Sequence, residues 1–146
     1  KMDSKYVIMT DKISVSNAEL VALDDGGGAG EFKDIVSAPG SGYFVLPLHT
    51  TIIATGAGAT EISNKSIYVG YDATQTTRYW TYWSRLASGI AAGDVWVFQQ
   101  ATPLSSASGV SAVTIDDLPL RLWSNGTFVG GWSFDLYITY KIEKIW

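Results

Sequence analysis

The sequence predicts an all-β fold built as an antiparallel β-sandwich, with one short helix near residues 17–23. Three observations predict it. Apolar residues recur with period two, the alternation of a half-buried strand. The runs are separated by turn formers: Gly26-Gly27-Gly28, Pro39-Gly40-Ser41-Gly42, Gly56-Ala57-Gly58, Ala92-Gly93, Asn125-Gly126 and Gly130-Gly131. Helical period is almost absent, and many short strands with glycine punctuation define a sandwich or barrel. The chain has 146 residues, enough for one domain, 1–146, with a core that needs no staples.

The elements follow in order. Lys5–Val15 is the first candidate strand. Ser16-Asn17-Ala18-Glu19 has the spacing of a capping box, with Leu20, Val21 and Leu23 as the buried side of the helix it starts. Asp24-Asp25-Gly26-Gly27-Gly28 ends that helix after one or two turns. Further strands are expected at Glu31–Ser37, Tyr43–Leu48, Thr51–Thr55, Ile62–Tyr71, Arg78–Leu86, Asp94–Gln99, Val110–Ile115 and Leu118–Trp123. Pro47 interrupts one run and marks an edge or a bulge. Ala101–Gly109 reads as a loop. The last strand is the clearest: Trp132, Phe134, Leu136, Ile138, Tyr140 and Ile142 share one face, and Ser133, Asp135, Tyr137, Thr139, Lys141 and Glu143 the other. Burying six such side chains is worth about 9–18 kcal/mol gross, and a one-residue slip would expose all of them.

Composition narrows the function. Charged residues are 16% of the chain and the net charge is −4, which speaks against nucleic acid as a partner. No apolar run reaches the roughly 18–20 residues of a membrane span. With no cysteine, disulfides, zinc–thiolate sites and thiol catalysis are excluded. Lys1–Lys5 carries no apolar stretch with a cleavage site, so synthesis in a cytoplasm is expected.

Candidate chemical sites are few. Gly26–Gly30 lacks the Lys-Ser/Thr of a phosphate-cradling loop and reads as a connection. Asp24-Asp25 and Asp116-Asp117 are the acidic doublets; they fit solvated turns better than a cation site. The single histidine, His49, has no G-x-S-x-G elbow to serve and reads as a structural or inter-subunit residue. No enzyme, no metal and no cofactor is expected.

Aromatic residues are the richest signal, with 6 Trp, 8 Tyr and 5 Phe. Several strands are apolar on both faces: Tyr6–Met9, Tyr43–Leu46, Tyr79–Trp83 and Val95–Phe98. One face of each is the inner face of a sandwich, and the other needs a second subunit as cover. Tyr6, Val7, Ile8, Met9, Trp96 and Phe98 are therefore the candidate subunit interface, with residues 1–10 as a contacting arm. Trp80, Tyr82, Trp83 and Trp123 are the alternative, a ring platform for saccharides.

Three stretches together resemble a known family: Ile13–Leu23, with its strand and capped turn of helix; Ile35-Val36-Ser37-Ala38-Pro39-Gly40-Ser41-Gly42-Tyr43-Phe44-Val45-Leu46; and Leu118–Leu122 followed by Gly130-Gly131 and the final strand. This looks like the small virion structural proteins of tailed phages, although Tyr43 stands where that family often carries Lys. The resemblance is loose over 56–109. It implies a jelly-roll-type sandwich that serves as a capsid decoration (cement) protein in the virion. It implies a homo-oligomer, a trimer by preference, bound to the major capsid protein or other virion subunits. The alternative is a receptor- or carbohydrate-binding module of a head or tail fibre.

Overall fold

A computed structural model describes residues 7–24, 30–71, 79–100 and 115–145 of the chain. Among them lie β1 (Met9–Val15), α1 (Asn17–Ala22), β2 (Phe32–Val36), β3 (Tyr43–Gly56), β4 (Ile67–Gly70), β5 (Tyr79–Trp83), β6 (Val95–Gln100), β7 (Leu120–Ser124) and β8 (Trp132–Lys144). The strands form two four-stranded antiparallel sheets, ordered β1-β8-β3-β6 and β2-β7-β4-β5.

The pairing has a simple rule. β1 pairs with β8, β2 with β7, β3 with β6 and β4 with β5. That is one long hairpin of four strands against four. Its alternate rungs fall into alternate sheets, and β3·β8 and β4·β7 contacts join them. A hairpin rolled in this way is an eight-stranded jelly roll. The all-β sandwich with one short helix is thus the fold the chain adopts.

β8 organises the first sheet because it lies between β1 and β3. Its alternation is the one the sequence shows: Trp132, Phe134, Leu136, Ile138 and Tyr140 are buried, and Ile142 is half-buried. Val45, Ile52 and Ala54 of β3 join them, and the second sheet answers with Ile67, Val69, Leu120, Leu122 and Trp83. Tyr71 bolts the sheets together, its hydroxyl donating to the Val45 carbonyl.

The capping box is present: the Ser16 hydroxyl accepts from the Glu19 amide, and the Glu19 carboxylate accepts from the Ser16 amide at 2.9 Å. Leu20 and Leu23, fully buried, pin the helix to the core.

Several boundaries differ from the expectation. Tyr43–Leu48 and Thr51–Thr55 are parts of one strand of 14 residues, because a bulge between Pro47 and His49 absorbs the proline without ending the strand. The strand expected over Ile62–Tyr71 is confined to Ile67–Gly70, and the one over Arg78–Leu86 to Tyr79–Trp83. After Trp83 the chain turns through Arg85 and Ala87, both at positive φ. Ile115 lies in a 3-10 turn rather than a strand; residues 110–114, the loop 101–109 and Gly26–Gly28 fall outside the described residues.

Candidate functional site

The turn that carries the family resemblance is held from below. The Gly40 amide donates to Asp117 Oδ1 at 2.7 Å, and the Gly42 amide to Asp116 Oδ1 at 2.6 Å. The Asp117 amide returns a bond to the Tyr43 carbonyl. The acidic doublet is therefore the clamp of the Pro39–Tyr43 turn, its oxygens occupied by backbone donors. Among the described residues no group of three or more His, Asp or Glu side chains could hold a metal ion. His49 sits half-buried beside the β3 bulge, opposite Thr139.

Beside this clamp lies an apolar hollow of about 410 Å³, lined by Val7, Met9, Pro39, Tyr43 and Ile142. The chain before β1 forms one wall. Val7 is 41% and Ile8 63% exposed, whereas Met9 packs against the core. Of the arm residues singled out in the sequence, Val7 and Ile8 present apolar surface to solvent; Met9 belongs to the fold, and Tyr6 lies outside the described residues.

The other expected interface residues, Trp96 and Phe98, lie on the inward side of β6. Both are half-buried and pack against the core, their ring centroids 6.2 Å apart. The outward residues of β6 are Val95 and Val97, 62% and 60% exposed. The reason is size: a strand with two apolar faces turns its larger rings inward, where they bury more surface. The V-W-V-F alternation held that signal.

The aromatic candidates for a saccharide platform separate between faces. Trp83 is 5% exposed and belongs to the core, and Trp80 is half-buried against it. Tyr82 and Trp123 lie on the outer face of the second sheet, joined by Tyr68, which the sequence reading did not single out. Registry makes them one rung: Phe32 opposes Trp123, Trp123 opposes Tyr68, and Tyr68 opposes Tyr82. Tyr68 stacks on Tyr82 at 5.4 Å and on Trp123 at 5.7 Å, with planes 22° and 13° apart. Arg121 caps the end over Phe32 at 4.1 Å and pairs with Asp34 at 2.7 Å. A saccharide packs on the flat face of a ring. Here both faces of Tyr68 are taken by neighbours, and Trp123 has no exposed surface. The rung stabilises the sheet by cross-strand stacking.

A second feature escaped the sequence reading. Glu61 is fully buried. Its carboxylate accepts from the amides of Ser63 (2.8 Å), Val129 (3.3 Å) and Gly130 (3.0 Å) and from Trp132 Nε1 (2.9 Å). Burial pushes the carboxyl up, and the bonds from Trp132, Gly130 and Ser63 more than reverse it, leaving it below its ordinary value. The backbone joins in: the Glu61 amide donates to Ile90, and the Gly89 amide to the Glu61 carbonyl. Three loops thus meet on one residue, two of them on its side chain. No local motif announces such a carboxylate, because three of its four donors are 68–71 residues away along the chain.

The outer face of the first sheet grades from charged to apolar. At the β1 side, Lys12 and Ser14 both reach Asp135, at 2.8 and 2.6 Å, and Thr10 meets Thr139. The Lys12 ammonium and the Ser14 hydroxyl hold the Asp135 carboxyl below its usual value. At the β6 side the neighbours are Ile53, Val95 and Val97.

No family model matches the chain, and no curated relative matches its sequence. Among solved structures it is similar to the VP2 subviral particle of infectious bursal disease virus, with 13% identity and a TM-score of 0.36 over 99% of this chain and 39% of that one. It is also similar to a structure of the Gx strain of that virus, with 13% identity and a TM-score of 0.32 over 95% of this chain and 37% of the other. The chain spans about two-fifths of the length of these solved chains.

Proposed function

We propose that the protein is a structural subunit of a virus particle, acting by contact between subunits and not by catalysis. In its finer form it is a capsid-decoration (cement) protein of a tailed phage. It works as an oligomer, with a trimer favoured, and binds the major capsid protein or another virion subunit. The observation that carries this reading is the exposed apolar arm: Val7 and Ile8 stand free beside the hollow at the clamped Pro39–Tyr43 turn. Apolar surface on an ordered arm next to a rigid turn suits a neighbouring subunit. The rolled topology supports it by analogy, since jelly rolls recur in viral capsid domains as well as in lectins. The receptor- or carbohydrate-binding alternative is less well supported, because the aromatic rung has its ring faces covered.

The test removes residues 1–8, which stops short of β1, and in a second variant changes Ile8→Lys. Oligomeric mass is read by analytical ultracentrifugation, and folding by thermal melting. The expected result is a smaller oligomer with a cooperative melt close to that of the full chain. An unchanged oligomer in both variants overturns the arm as the contact, and a monomeric full chain at high micromolar concentration overturns the oligomeric reading.

A further inference from the structure

Sheet edges present unpaired backbone groups, and proteins guard them with charge, bulges or cover. Two edges here are guarded. β1 carries Asp11 and Lys12, and β2 carries Lys33 and Asp34 with a bulge between Asp34 and Val36. β6 is different. From Val95 to Gln100 it has no charge and no proline, and its pairing with β3 runs without a bulge. Its outward side chains are exposed valines.

The direction of its backbone groups follows from two bonds. The Gly56 amide donates to the Asp94 carbonyl at 2.9 Å and the Gly56 carbonyl accepts from the Gly93 amide at 3.0 Å, so both backbone groups of Gly56 face the β6 side of β3. Antiparallel pairs alternate between bonded and non-bonded, so along the regular register Trp96 and Phe98 spend their backbone groups on Ala54 and Ile52. Val95, Val97 and Gln99 therefore aim their N–H and C=O away from β3, along an edge that no other strand among the described residues pairs with.

From this arrangement we infer that β6 pairs antiparallel with β6 of a second copy of the chain, across a two-fold axis at Val97. One register uses every outward group. Val97 opposes Val97, and Val95 opposes Gln99 in both directions. Three residues, each with one donor and one acceptor, then form about six inter-chain hydrogen bonds. The same register sets Trp96 against Phe98 on the inner face, a favourable cross-strand pair. Shifting by two residues in either direction loses bonds. No like charges meet, since the segment has none. The edge is self-complementary, which is the requirement of a two-fold contact. The two first sheets join into one of eight strands. This contact does not rest on the virion reading; in a trimeric protein it would link one trimer to the next.

The chain lacks cysteine, so a single introduced thiol reports the contact. Val97→Cys places two thiols across the axis at about 5.5 Å between Cα atoms, within disulfide range. Thr55→Cys, exposed on β3 but away from the edge, is the control. Under mild oxidation at low micromolar concentration, Val97→Cys is expected to form a covalent dimer at least about tenfold faster than Thr55→Cys. Val97→Pro, which removes the central amide, is expected to lower the solution mass of the cysteine-free protein by one association step while the melt stays cooperative. Equal cross-linking rates for the two thiols overturn the inference. So does a solution mass unchanged in Val97→Pro, or slow cross-linking with a β6 edge that captures a foreign strand instead. An oligomer unchanged by removal of residues 1–8, with this cross-link retained, would count against the proposed function alone.

Discussion

Replacing Glu61 by Gln tests whether one buried carboxylate ties its own loop to the turn before β8. The carboxylate serves four donors with two oxygens. Glutamine keeps one acceptor oxygen and puts an amide, itself a donor, where the other stood. Two donors then lose their acceptor in a site with no exposed surface. Hydrogen bonds to a charged group are worth about 1.5–3 kcal/mol each, so Glu61→Gln should cost about 3–5 kcal/mol after partial relaxation. In a domain of this size that lowers the melting temperature by about 10 °C. Urea unfolding followed by fluorescence gives the free energy, and the indole N–H resonance of Trp132 reports the lost bond. A cost below about 1 kcal/mol with an unshifted Trp132 resonance would refute the reasoning. The pH dependence carries the same sign: the folded carboxyl lies below its ordinary value, so its contribution is full above the unfolded pKa of about 4.3 and disappears as pH falls through the folded value.

Other perturbations follow from single contacts. A Cβ at Gly56 would sit 1.9 Å from the Ala91 carbonyl oxygen, so Gly56→Ala should destabilise by about 3 kcal/mol or more in urea melts; wild-type stability would show that the turn before β6 moves freely away from β3 there. Asp116→Ala and Asp117→Ala should each cost about 1–2 kcal/mol and speed hydrogen exchange at the Gly42 and Gly40 amides respectively; unchanged exchange would remove the clamp. Glu19 is held at about 2 by the Lys33 ammonium and by the Ser16 amide and hydroxyl. Its contribution should therefore be complete above about 4.3 and fall as pH drops toward 2. Glu19→Gln should flatten that part of the stability–pH curve by less than about 1 kcal/mol, since the carboxylate is 46% exposed; a curve with the same slope would assign the acid dependence elsewhere.

The parts of the fold legible in the sequence are those written in local pattern. β8 announces its buried face because its alternation runs for eleven residues, and the capping box announces α1 because its partners are three residues apart. The strand order depends on which long-range pairs form, and periodicity does not encode that. The Pro47 bulge was readable, but not that β3 continues through it. In β6 the apolar pattern marks both faces alike, and the choice of which face turns outward went to the valines. The aromatic rung and the Glu61 knot were invisible for the same reason: their members are brought together by registry, not by spacing.

Because β8 is an inner strand of the first sheet and Met9 pairs with Tyr140, β1 has no partner, and β3 only β6, until the ribosome has passed residue 140. Until then the nascent chain carries greasy, incompletely paired ribbons, and the domain closes only when β8 slides between two strands that have been waiting. Such a chain is expected to fold slowly for its size and to lean on holding factors while it is made. Truncating it within β8 should leave an aggregate, where trimming β1 leaves a weakened domain.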